Sequence, residues 1–339
     1  MKLILAIILS IALTRCAMAE EQKDSGKETP PLRLGMIGLD TSHVIAFIEL
    51  LNDPRNPHYV PGAKVVVGYP GGSPDVEASA TRVESYTAEL RDKWHVEIVP
   101  DIPTLCEKVD AVLITSVDGR PHLEQVRPVF AAKKPVFIDK PMAGNLEDVK
   151  EIFRLSEQSA VPCFSSSCYR WMEGLNRPDL GSVTGCDSYS PATIEPHHPD
   201  LFWYGIHGVE ALFTVMGPGC VSVTRVQSEG TDVVVGLWKD GRIGTFRGIR
   251  QGNAASGVTV FCENGIYTTK PGHDCIYEGL VREMVKFFQT GIPPVTPEET
   301  IQIYSFMDAA DKSKHQGGTP VPLEHSPHAA PEVDRPLAQ

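Results

Sequence analysis

Leu32-Arg33-Leu34-Gly35-Met36-Ile37-Gly38-Leu39-Asp40-Thr41-Ser42-His43 is the stretch on which the fold turns. A short apolar run, a glycine, and a helical pattern from Val44 predict a strand, a tight loop and a helix. The loop has the place and phase of G-x-G-x-x-G. Only its first glycine, Gly38, is present, and Asp40 and His43 stand at the other two positions. In that motif the second glycine lets the backbone approach a pyrophosphate, and the third packs helix against strand. Asp40 adds bulk and negative charge there. Two like charges about 4 Å apart repel by roughly 1 kcal/mol in water and several times that when partly buried. Asp40 also suits a simpler role, capping the helix that follows.

Outward from this stretch the pattern repeats. Strands are predicted at 32–37, 63–68, 111–115 and 135–138, and helices at 44–51, 78–93, 102–108 and 123–132. Continuous apolar strands alternating with helices predict a parallel sheet covered on both faces, with ligands at the carboxyl ends of its strands. After a helix at 146–159 and a strand at 161–164 the texture changes. Residues 221–227, 231–239, 241–249, 258–263 and 266–269 read as antiparallel strands, with turns at Asp240-Gly241 and Asn264-Gly265. Helices return at 278–290 and 297–312. The fold class is therefore α/β. A Rossmann-like doubly wound parallel sheet at 32–145 precedes an α+β domain at 146–315 with a largely antiparallel open sheet. Residues 20–31 read as a linker, and the proline-rich 316–339 as a tail that is disordered or lies along the surface.

The N-terminus reads as an export signal: Lys2, an apolar run at 3–13, and Ala17-Met18-Ala19 as a small-x-small cleavage site. The run is too short for a membrane span. Cleavage after Ala19 is expected, with the protein periplasmic or extracellular. Arg15 disfavours lipidation at Cys16. Export in the unfolded state predicts that no cofactor is carried out of the cytoplasm. The formal charge of −12 argues against nucleic acid and anionic membrane surfaces as partners. The eight cysteines show no Cys-x-x-Cys or zinc-finger spacing.

A second stretch, Pro135-Val136-Phe137-Ile138-Asp139-Lys140-Pro141, is a buried strand ending on a lysine. With the glycine loop, the strand at 109–115 followed by His122, and the helix pattern at Gly205–Leu212, it resembles the Gfo/Idh/MocA family (glucose-fructose oxidoreductase / inositol dehydrogenase). The resemblance spans nearly the whole chain beyond the linker. It implies an oxidoreductase acting on a sugar, polyol or related carbohydrate by NAD(P)-linked hydride transfer. Lys140 and His207 would be its catalytic residues. The cofactor would be held by Gly35, Gly38, Asp40, Thr41, Ser42, His43, Thr115, His122, Asp139 and Lys140. Two further positions depart from the family. The strand at 63–68 runs on into Tyr69-Pro70-Gly71-Gly72 with no acid for ribose hydroxyls, and Trp203 stands where an acid is expected four residues before His207.

Arg120, Tyr169, Arg170, His198, Trp203 and Tyr204 are the candidate substrate contacts, because aromatic faces beside a few polar groups suit a sugar. Asp118 and Arg120 are close enough in sequence to pair with each other. Asp40, His43, Glu195, His198 and His207 carry the ligand types of a divalent metal such as zinc or manganese. Three readings stay open at this level. The first is the oxidoreductase, the second a non-redox, metal-dependent or metal-free, carbohydrate hydrolase or lyase, and the third a sugar-binding protein. An open antiparallel sheet makes a homo-oligomer an expectation.

Overall fold

The computed structural model describes residues 30–269 and 277–323. The export signal, most of the linker, and His325 and His328 lie outside the described residues. Sheet A is six-stranded and parallel, in the order β3-β2-β1-β4-β5-β6. Its strands are β1 (Leu32–Ile37), β2 (Ala63–Tyr69), β3 (Glu97–Ile98), β4 (Ala111–Ile114), β5 (Val136–Ile138) and β6 (Cys163–Ser165). β4 and β5 are buried at every residue, as a strand covered on both faces must be. The helices between them are α1 (Ser42–Asn52), α2 (Glu77–Ala80), α3 (Val83–Asp92), α4 (Ile102–Lys108), α5 (His122–Ala131) and α6 (Leu146–Ser159). Asp101 and Asn145 cap α4 and α6, accepting from Thr104 N and Asp148 N.

The helix predicted over 78–93 is two helices, α2 and α3, broken at Thr81 and Arg82. Ser79, on the last turn of α2, is drawn against the glycine loop and hydrogen-bonds Asp40. Sheet A also runs past residue 145, since β6 is its edge strand. One face is finished by α8 (Glu278–Thr290), whose Leu280, Val281, Met284 and Phe287 join the cluster of Phe47, Phe137 and Phe164.

The second half contributes η-turns at Cys168–Trp171 and Pro178–Leu180, β7 (Val183–Pro191), α7 (Ile206–Met216), β8 (Cys220–Ser228), β9 (Thr231–Trp238), β10 (Ile243–Ile249), β11 (Gly257–Cys262), β12 (Gly265–Thr268), α9 (Pro297–His315) and β13 (Val321–Pro322). Sheet B has the order β12-β11-β7-β10-β9-β8-β13 and is antiparallel except where β10 meets β7. β7 has no counterpart in the sequence reading. Its Gly, Asp and Pro residues are poor strand formers, and pairing with β10 and β11 on either side holds it extended. The start of the proline-rich tail is likewise not loose, since Val321 and Pro322 pair with β8. α7 and α9 cover one face of sheet B. The strands alternate accordingly, with Val234, Trp238 and Phe246 buried and Val235, Leu237 and Ile243 exposed. No helix among the described residues is long and apolar enough to cross a membrane.

Candidate active site

The loops at the carboxyl ends of β1, β5 and β6 meet the start of α7 around a cleft of about 400 Å³. Thr41, Ser42 and His43 come from the first loop, Lys140 from the second, and Cys168 and Tyr169 from the third. Trp203, Tyr204 and His207 come from the second half, and Arg82 and Tyr277 complete the wall. This is where a doubly wound sheet places its ligand.

Lys140 is only 7% exposed, and it precedes a cis proline, Pro141. Its Nζ lies 5.7 Å from the centre of the Tyr204 ring, and it makes no direct side-chain hydrogen bond or salt bridge among the described residues. Beside it, Asp139 Oδ2 accepts from His43 Nδ1 at 2.5 Å, and Asp139 Oδ1 accepts from Lys140 N at 2.8 Å. Burial pushes the Asp139 carboxyl up, but the charges of His43 and Lys140 and the hydrogen bonds from both outweigh it, so the net shift is downward. His207 is buried among Ser167, Tyr169 and Tyr204. Its pKa is held well below the ordinary imidazole value, first by burial and then by the charges of Lys140 and His43. It is therefore neutral at pH 7. Ser167 Oγ bonds its Nδ1 at 2.7 Å, which leaves Nε2 for a ligand. With Nδ1–H donated to Ser167, Nε2 is a base. With the serine donating, Nε2–H is an acid.

The other residues picked from sequence have different places. His122 is fully buried, with its ring nitrogens 3.2 Å from Met142 O and 3.0 Å from Ser116 O, so it straps two loops together and meets no ligand. Thr115 is buried and donates to Gly38 O. Gly35 admits Leu105, whose Cδ2 would lie 2.3 Å from any added Cβ. Arg170 is locked between Glu210 and Glu299, each at 2.7 Å, and does not line the cleft. Arg120 does pair with Asp118, and forks across to Asp75 as well. His198 sits between Glu195 and Asp118. Thus Glu195 and His198 form a polar clasp and do not join His207. No three His, Cys, Asp or Glu side chains among the described residues come together so as to hold a metal ion. Arg82 and Tyr277, missed in the sequence, line the cleft. A lone arginine after a broken helix gives no motif by which to find it.

The groove over the glycine loop does not fit a dinucleotide. Asp40 is fully buried, neither aimed at a ligand nor capping α1. Its Oδ1 accepts from Val117 N at 2.8 Å and its Oδ2 from Ser79 Oγ at 2.6 Å. The first bond bridges the loops after β1 and β4, and the second ties the glycine loop to α2. Burial raises the Asp40 pKa, with Ser79 and Val117 opposing. Gly38 N donates to Tyr69 O and Leu39 N to Pro70 O, so loop amides are already engaged. A Cβ on Gly71 would lie 3.4 Å from Gly38 Cα, so the segment after β2 packs closely on the glycine loop. Trp203 packs on Val76 and Val117 and closes the same side.

Comparison with known proteins agrees with this architecture. Residues 35–166 match the Gfo/Idh/MocA oxidoreductase family, described by its NAD-binding Rossmann fold, and the resemblance read from the sequence is confirmed. No curated protein sequence matches the chain. Among solved structures, myo-inositol 2-dehydrogenase from Lactobacillus plantarum aligns at 17% identity and TM-score 0.72, over 87% of this chain and all of that one. Scyllo-inositol dehydrogenase from Lactobacillus casei, solved with NAD(H) and scyllo-inositol, aligns at 15% identity and TM-score 0.70, covering 86% and 99%. A probable dehydrogenase from Thermotoga maritima aligns at 21% and 0.68, covering 86% and 99%. At these identities the shared property is the fold.

Proposed function

We propose that the protein acts on a sugar or polyol in the Lys140–His207 cleft, by proton transfer that does not depend on exchangeable NAD(P). The observation that carries this is a contrast within one site. Lys140, neutral His207 and the His43–Asp139 pair converge on an open cleft, while the adjoining groove is bridged by Asp40. In an elimination, neutral His207 Nε2 takes the proton from a carbon next to a carbonyl or carboxylate while the Lys140 ammonium stabilises the enolate oxygen, and the β-oxygen substituent then leaves as an alcohol or water with the proton returned to it. In a hydrolysis, His207 Nε2 takes a proton from water as that water attacks, and the Lys140 ammonium gives a proton to the leaving oxygen. Trp203, Tyr204 and Tyr169 supply apolar walls for the carbon skeleton. The chemistry is then elimination or hydrolysis at the carbohydrate. NAD(P)-linked hydride transfer is the second reading, favoured by the family match over residues 35–166. It needs the segment after β2 and the Asp40 bridge to move aside.

The test is to incubate mature protein with neutral and acidic sugars and polyols, with and without NAD⁺, and follow products by NMR. Product formed without NAD⁺ is the expected result. Turnover strictly dependent on NAD⁺, with matching NADH, would establish the second reading instead. Export with cleavage after Ala19 belongs to the same proposal, since a closed groove suits a compartment poor in nicotinamide. N-terminal sequencing of protein from the periplasm checks it. The exposed Val235, Leu237 and Ile243 support a homo-oligomer joined through sheet B, which light scattering would measure.

A further inference from the structure

We infer that the ligand of this cleft carries a carboxylate, so that the substrate class is a sugar acid or polyol acid, not a neutral sugar. The inference rests on the proposed carbohydrate reading and narrows it. The chain as a whole is acidic, with 43 Asp and Glu against 31 Lys and Arg. The described residues that line the cleft reverse that balance: Lys140 and Arg82 are there, with His43 and His207, and no Asp or Glu. The described acids close by already accept hydrogen bonds within the chain. Asp139 accepts from His43, Asp40 from Ser79 and Val117, and Asp118 from Arg120.

Lys140 is more than nine-tenths buried, its Nζ faces the Tyr204 ring, and the Asp139 charge acts on it without a direct ion pair among the described residues. Burying a charge that no acceptor bonds directly is costly, and an anionic ligand group in the cleft would supply that acceptor. Arg82 likewise makes no side-chain ion pair among the described residues. Its planar fork suits a carboxylate, two oxygens to two N–H groups. α1 enters the cleft at Thr41 without a side-chain cap, so its positive end adds to the same field. The hydroxyls of Thr41 and Ser42 remain for sugar hydroxyls. A phosphate ester shares the anionic chemistry, but the aromatic walls and 400 Å³ favour the smaller, flatter group.

Calorimetric titration of the full mature chain decides the matter, with D-glucuronate and D-gluconate set against D-glucose, D-glucitol, glucose 6-phosphate and acetate. The acids should bind at least tenfold tighter than their neutral counterparts. Arg82→Gln should reduce that ratio severalfold, and Arg82→Lys should restore part of it; circular dichroism confirms that both variants fold. Equal binding of acid and neutral sugars would overturn the carboxylate and leave the carbohydrate reading standing. Tighter binding of glucose 6-phosphate than of glucuronate would also overturn it, in favour of a phosphate ester. Acetate binding as tightly as glucuronate would keep the anion site and remove the carbohydrate reading. No binding by any of them would remove both.

Discussion

The groove over Gly38 and the cleft over Lys140 are neighbours on the same edge of sheet A, and their polar groups are treated in opposite ways. In the groove, donors and acceptors meet within the chain: Val117 N and Ser79 Oγ on Asp40, Leu39 N on Pro70 O, Arg120 on Asp75 and Asp118. In the cleft, the Lys140 ammonium and the Arg82 guanidinium make no direct ion pair among the described residues, and the carboxylate nearest in sequence to Lys140, Asp139, is bonded to His43. A polar group satisfied internally is structure, because a ligand must first break that bond. A buried charge without a partner is held for something that comes and goes. On the proposed reading, the groove over Gly38 is structure and the cleft over Lys140 is the site.

The largest effect that could break this contrast is at Lys140. Lys140→Met should lower turnover by about a hundredfold or more, the usual range for removing a proton-transfer or charge-stabilising group. It should leave the denaturation midpoint nearly unchanged, since the charge removed is buried without a direct ion pair and Asp139 keeps its bond to His43. Steady-state rates and a urea titration on the same preparation check both halves. Lost stability with retained turnover would make Lys140 the structural residue.

Asp40→Gly probes the groove in the opposite sense. Deleting the carboxylate leaves Val117 N and Ser79 Oγ without an acceptor, at a cost of about 1–3 kcal/mol in stability. It restores a glycine to the second position of the loop, yet Leu39 N still donates to Pro70 O and Gly71 still lies over Gly38. Millimolar NAD⁺ should therefore give no heat of binding. Binding in this variant alone would mean that Asp40 is a single plug in an otherwise intact dinucleotide site.

Much of the fold was legible in the sequence for a physical reason. Strands such as Ala111–Ile114, apolar at every residue, and hairpin turns such as Asp240-Gly241 are local signals, strong enough to stand alone. β7 was not legible, because Val183–Pro191 is extended only by virtue of its two neighbours. The site divides the same way. Lys140 and His207 sit in recognisable segments and do meet in one cleft. His122, Thr115 and Arg170 belong to the right neighbourhood but turn into the core, and side-chain direction at a strand end is fixed by tertiary contacts. Asp40 as an intruder in the glycine loop was visible. That Ser79 would break a predicted helix to satisfy it was not, since the two are 39 residues apart.

The smallest expected effect concerns His207, and it tests whether the cleft imidazole is neutral as the geometry requires. Its folded pKa lies below the ordinary value of 6.5, chiefly through burial. The unfolded chain then binds a proton that the folded chain refuses, so stability is fully present above about pH 6.5 and falls as the pH drops below it. The slope from this one group is at most about 1.4 kcal/mol per pH unit. His207→Asn keeps a polar group for Ser167 and has nothing to titrate. Urea midpoints between pH 7 and pH 5 should fall less steeply for the variant than for the parent chain. Identical slopes would mean that the folded cleft protonates His207 freely. The Lys140 charge beside it would then have to be offset by an acid, and the contrast between cleft and groove would fail.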